Sequence, residues 1–218
     1  MLINKNIEIN YSSELINYED SLNLMEKRVN EINIGKEKEL IWFLNHNHIY
    51  TIGASGTINE IREKLDAPLF KTNRGGKITY HGPGQRIIYF VINLNNRKKD
   101  IRKFVNLIEN SAINVLKEFD IEAKTFPDRV GIWVIKNKKN YLEKEQKIGS
   151  IGLRVKKWIV YHGLSFNINP SLGYYKKIDA CGLKDYTSTS MQSLGINIDN
   201  DEFDKMYLKY FLEDLDKL

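Results

Sequence analysis

Arg74-Gly75-Gly76-Lys77-Ile78-Thr79-Tyr80-His81-Gly82-Pro83-Gly84-Gln85 leads through Arg86 into the apolar run Ile87-Ile88-Tyr89-Phe90-Val91-Ile92. Four glycines, a proline and a histidine share the first twelve positions. Glycine has no β-carbon, so backbone there can approach a ligand closely and adopt positive φ. A buried strand leaving such a loop holds it rigidly. The pattern predicts a backbone-built binding site with one titratable side chain, His81, at its rim.

Around this centre the spacing predicts a mixed sheet covered by helices, an α+β fold in one domain over residues 1–218. Leu15, Leu22, Met25, Val29 and Ile32 lie at helical spacing within residues 14–32, with Ser13 as N-cap. Leu40 to Ile52 reads as one strand closing at Gly53, and Leu69 to Thr72 as a short one. Gln85 to Leu94 is a buried strand. Asp100 caps an amphipathic helix carrying Ile101, Phe104, Val105, Ile108, Ala112, Val115, Leu116 and Phe119 on one face. Val130 to Ile135 is a further strand. Lys136 to Gln146 is charged and lacks apolar periodicity, so it reads as a solvated connection. Lys147 to Val155 and Trp158 to Ile168 form a hairpin turning near Lys156-Lys157. Residues 202–215 form a last helix, with Asp199, Asp201 and Glu202 at its positive end.

The bulk composition narrows the function. With 218 residues, 42% hydrophobic and 11% aromatic, the chain can bury a sizeable core. No apolar stretch is long enough to span a membrane. Met1 to Asn6 lacks the zones of a signal peptide, and one cysteine cannot form an internal disulfide. Both point to the cytoplasm. The net charge of +5 suits recruitment of an acidic partner. It is too dispersed, and too poor in interleaved surface aromatics, for nucleic acid.

A few residues carry chemistry. Cys181, the lone cysteine, lies in Ile178-Asp179-Ala180-Cys181-Gly182-Leu183 beside a glycine. A buried small hydrophobe is the ordinary fate of such a residue. With histidines elsewhere it is also a candidate nucleophile, which needs a positive neighbour to lower its pKa. Lys147 opens a strand rich in small residues, Gly149, Ser150 and Gly152, which leave room for a ligand. His162 sits on the returning strand in a structural or supporting position. His46 and His48 have no cysteine or acid partners at ligand spacing, so no metal is expected. The phosphate-loop, dinucleotide and nucleophile-elbow motifs are all missing.

Taken in order, these segments resemble one family. Arg74 to Gln85 resembles the R-G-G-x-x-T-Y-H-G-P-G-Q signature of the lipoyl(octanoyl) transferases. His46 to Gly53 resembles their H-P-x-x-Y-T-x-G segment, with Asn47 and His48 at the proline-containing entry. Lys147 to Gly152 resembles K-x-x-x-I-G, and Trp158 to Gly163 resembles W-x-x-x-H-G. Ile178 to Gly182 is similar to the nucleophile segment, with Ala180 in place of the usual proline. Thr189-Ser190-Met191, then Gly195, resembles T-S-L-x-x-x-G.

The resemblance implies the fold of biotin and lipoate protein ligases. It implies an acyltransferase moving octanoyl from octanoyl-acyl carrier protein to a lysine of lipoyl domains. Those domains belong to 2-oxoacid dehydrogenases and the glycine cleavage H protein. It also implies Cys181 as acyl-thioester nucleophile and Lys147 as its partner, with no cofactor, metal or membrane. Substrate-binding positions carried over are Arg74, Gly75, Gly76, Lys77, Ile78, Thr79, Tyr80 and His81; Ser150, Ile151 and Gly152; and Gly163, Leu164 and Ser165. Two other readings stand beside it: an ATP-dependent lipoate or biotin protein ligase, and a noncatalytic module that binds lipoyl domains.

Overall fold

The computed structural model describes residues 6–138, 140–180 and 187–218. Strand alternation builds its centre. In β2 (Glu39–His46) and β6 (Gln85–Asn93) successive side chains point to opposite faces. Ile41, Phe43, Ile88, Phe90 and Ile92 enter one core, while Leu40, Trp42, Leu44, Ile87, Tyr89 and Val91 enter another. The two strands pair antiparallel, with Trp42 opposite Tyr89. Both faces are therefore apolar, and both are covered.

The remaining strands of the main sheet are β1 (Ile7–Ile16), β7 (Ile121–Phe126), β8 (Arg129–Asn137), β9 (Asn140–Lys156) and β10 (Ile159–Asn167). They run in the order β1-β2-β6-β10-β9-β8-β7, and the two-residue β11 (Thr187–Ser188) pairs with β9. Among the described residues, the parallel pairs of this sheet are β1–β2 and β9–β11, and its other pairs are antiparallel. A satellite sheet is formed by β3 (Ile49–Ile52), β4 (Leu69–Lys71) and β5 (Ile78–His81), in the order β4-β3-β5. Helix α1 (Tyr18–Asn33) covers one face of the main sheet with Met25, Val29 and Ile32. Helices α2 (Ile101–Lys117) and α3 (Asn200–Leu215) cover the other with Phe104, Ile108, Phe203 and Phe211. Asp100 and Asp199 accept hydrogen bonds at their N-termini from Lys103 and Glu202. Among the described residues, no helix is long and apolar enough to cross a membrane.

Three expectations are corrected. Ser13 does not cap a helix: it lies in β1, and Asn17 caps α1 by accepting from the Glu19 amide at 2.8 Å. An edge strand whose side chains are half solvated has little apolar alternation to announce it. Leu40 to Ile52 is two strands, broken at the exposed pair Asn47-His48, and the second belongs to the satellite sheet. Lys136 to Gln146 is no solvated connection. It belongs to the β8–β9 hairpin, with Lys136 opposite Tyr141 and Val134 opposite Gln146. Backbone pairing holds its arms together, and the half-buried Leu142 packs against the main core.

The β9–β10 turn falls one residue later than expected. Lys157 and Trp158 both have positive φ, at 54° and 63°, which matches the twist of a two-residue hairpin loop.

Candidate active site

The glycine loop docks on backbone because two facing positions have no side chain. A β-carbon on Gly53 would lie 2.3 Å from the Gly76 carbonyl oxygen. One on Gly152 would lie 2.9 Å from that of Gly75. Arg74 then locks the loop. Its Nη2 donates to the Thr51 hydroxyl at 2.7 Å, the Thr51 carbonyl at 2.8 Å and the Lys77 carbonyl at 2.9 Å. Its Nη1 donates to the Gly75 carbonyl at 3.0 Å. The buried guanidinium is thus a staple through the loop's own carbonyls.

A narrow cleft of about 50 Å³ opens between this loop, the main sheet and the start of α1. Of the binding positions expected from sequence, Arg74, Gly76, Lys77, Ile78, Thr79 and His81 line it. Ser150, Ile151 and Gly152 from β9, and Gly163, Leu164 and Ser165 from β10, line it too, together with His162. Gly75 and Tyr80 do not. Gly75 donates its amide to the Leu153 carbonyl at 2.9 Å. Tyr80 points to the other side of β5, into a satellite core where it stacks on Tyr174 at 4.4 Å. Tyr18, Ile87 and Tyr89 line the cleft and were not singled out from sequence. The signal was present for two of them, since Ile87 and Tyr89 are alternate residues of one strand and share a face.

The cleft's imidazoles are neutral. Burial pushes His162 down to about 3 and His81 well below the ordinary histidine value. Nearby His46, which does not line the cleft, falls to about 4 for the same reason, and its rings' two nitrogens contact the Ile16 carbonyl and the Tyr89 hydroxyl, both at 2.7 Å. Asn73 Nδ2 donates to Glu26, which turns its Oδ1 toward His162 Nε2 at 3.3 Å. His162 Nε2 therefore carries the hydrogen, and Nδ1 is an acceptor. Among the described residues that nitrogen and Thr79 Oγ1 have no hydrogen-bond partner. An unmet buried polar atom is costly, and a bound substrate can meet it.

Lys147 is buried on β9, at the same sheet face further toward β8. Its Nζ donates to the Val130 carbonyl at 2.9 Å and sits 5.2 Å from the Trp133 ring centroid. Cys181 and Gly182 lie outside the described residues. Their flanks do not. Ile178 bridges Ile61, and the Asp179 amide donates to the Glu60 carbonyl at 2.7 Å. The chain returns as β11 with Ser188 opposite Lys147, and the Thr189 amide donates to the Lys147 carbonyl at 2.8 Å.

Residues 17–212 match the family model "Lipoyl protein ligase A/B catalytic domain". The octanoyltransferase of Wolbachia pipientis wMel is 44% identical over 201 residues, covering 92% of this chain and 95% of that protein. The octanoyltransferase of Ehrlichia canis (strain Jake) is 40% identical over 208 residues, 95% of each chain. Among solved structures, lipoate-protein ligase A bound with ATP superposes with a TM-score of 0.70 at 17% identity, covering 96% of this chain and 86% of that one. Biotin protein ligase from Aquifex aeolicus in complex with biotin and ATP gives 0.52 at 15%, covering 98% and 71%. At such identities the structural likeness concerns the fold alone.

Proposed function

The chain belongs to the lipoyl protein ligase A/B catalytic-domain family and, within it, to the octanoyltransferases, and from that premise we propose a two-step acyl transfer through Cys181. The enzyme transfers octanoyl in protein lipoylation. In the first step the Cys181 thiolate attacks the thioester carbon of octanoyl-acyl carrier protein, a new C–S bond forms, and the carrier's thiolate leaves. In the second, a neutral lysine amine of a lipoyl domain attacks the Cys181 thioester. The amide forms and the surplus proton passes to the departing sulfur. The Lys147 ammonium favours the thiolate form of Cys181. No cofactor enters either step, and the cytoplasm, where thiols stay reduced, is the compartment.

One observation carries this reading: three segments far apart in sequence, 74–81, 150–152 and 163–165, meet around one cleft. The octanoyl chain lies there, against Ile87, Ile151 and Leu164, with Thr79 and His162 meeting polar atoms. Burying six methylenes contributes on the order of 5 kcal/mol before ordering costs.

The test is intact mass after mixing with octanoyl-acyl carrier protein. One octanoyl group should appear on the wild type and none on Cys181→Ser. Octanoate with ATP should leave the protein and a lipoyl domain unmodified. Modification with ATP alone, or full transfer by Cys181→Ser, would overturn the thioester route.

A further inference from the structure

Gln85 closes the glycine-loop sequence, and its side chain is wholly buried. It is not in the cleft lining, yet it touches four groups. Its Oε1 accepts from His81 Nδ1 at 2.7 Å. Its Nε2 lies 2.5 Å from the Tyr175 hydroxyl, 3.0 Å from Asn167 Oδ1 and 3.2 Å from the Tyr80 carbonyl. The next link is Asn167 Nδ2, which donates to the Thr189 carbonyl at 2.9 Å.

These contacts fix each other's orientation. Because Asn167 gives its amide hydrogens to Thr189, its Oδ1 must face Gln85. Gln85 must then present Nε2 to Asn167 and Oε1 to His81. An amide oxygen only accepts, so His81 holds its hydrogen on Nδ1 and keeps the Nε2 lone pair. The backbone position of Thr189 thereby reaches the tautomer of a cleft histidine.

The chain positions of the two tethers give the network its meaning. Tyr175 lies six residues before Cys181 and Thr189 eight residues after it. One side chain, Gln85, holds the upstream flank directly and the downstream flank through Asn167. The downstream flank is also bonded to Lys147. We propose that Gln85 is a positioning residue, which registers the two flanks of Cys181, at Tyr175 and Thr189, against the glycine loop and Lys147 through Tyr175 and Asn167. This rests on the acyl-transfer reading above.

Gln85→Leu and Gln85→Glu separate shape from hydrogen bonding. Leucine removes the hydrogen bonds from Gln85 to His81, Tyr175 and Asn167. Glutamate keeps the shape but turns an acceptor toward Asn167 Oδ1. Misplacement of a reacting group by about 1 Å costs about a hundredfold in rate. Both variants should lower the single-turnover acylation rate of Cys181 by roughly that factor at saturating donor, with a small change in half-saturation. Both should also move the pH profile of Cys181 alkylation by iodoacetamide. Tyr175→Phe should shift the same two readouts in the same direction by less. Measurements are made below each variant's melting temperature.

Lowered melting temperatures with unchanged acylation and alkylation profiles would overturn the proposal, leaving Gln85 a packing residue. Wild-type behaviour of Gln85→Glu would do so as well, since shape alone would then suffice. Failure of the wild type to gain octanoyl would instead sink the acyl-transfer reading, while the alkylation profiles would still report on the Gln85 network.

Discussion

Lys147 reaches its place because Gly131 has no side chain. A β-carbon there would stand 2.6 Å from Lys147 Cε and 2.9 Å from Nζ. The ammonium is held by the Val130 carbonyl and the Trp133 face, so it sits as a fixed charge rather than a solvated one. Lys147→Met keeps the length and removes the charge. The alkylation profile of Cys181 should move to higher pH, and acylation at neutral pH should slow by roughly tenfold, the effect of raising a thiol pKa by about one unit. An unchanged profile would assign Lys147 to the second step alone. Arg74 shows the opposite lesson at this scale. Its place in a glycine-rich motif suggests an anion site, but its hydrogen bonds run to Thr51, Gly75 and Lys77.

At the level of elements, the β8–β9 hairpin decides whether the charged stretch is dispensable. Leu142 packs against the main core, and Lys136 Nζ lies 4.8 Å from the centroid of the exposed Tyr141 ring. Deleting residues 140–145 should therefore lower the melting temperature by about 5 °C or more, since about 1 kcal/mol is worth roughly 2–4 °C in a chain of this size. A melting curve that overlays the wild type would mean the arms add nothing. Helix α2 was legible from sequence, cap included, because its apolar face is wide and Asp100 stands at the boundary. The hairpin arms were not, because inter-strand backbone bonds leave no mark on side-chain periodicity.

Across the whole molecule, three neutral histidines sit under one sheet face, and they make stability pH-dependent. The unfolded chain takes up a proton at each near the ordinary value of 6.5, while folded His46 does so only at about 4 and His162 at about 3. As pH falls below 6.5 the unfolded state gains protons that the folded state refuses, so stability declines until the folded values are reached. At about 1.4 kcal/mol per pH unit, His46 alone is worth roughly 3 kcal/mol over its interval. His81 acts in the same direction. Glu109 and Asp204, raised by burial, act the other way as they take up protons in the folded state. The melting temperature should therefore fall from about pH 7 to about pH 5, with Glu109 and Asp204 opposing the trend as they protonate. A flat profile there would mean that the folded histidines are already charged.

By itself the sequence determined the fold class, the glycine loop, the strand that carries it and the order of the family's segments. Those are local facts: glycine clusters, alternation and caps are written within a few neighbouring residues. Only the tertiary structure decided that Tyr80 turns away from the cleft while Tyr18 turns into it. It alone joined Gln85 to Tyr175 and Asn167, ninety and eighty-two positions away. A hydrogen bond between distant residues depends on how sheets stack, and no pattern in either segment records its partner. The same holds for the histidines, whose charge state follows from burial, a property of the packed molecule and not of the residue.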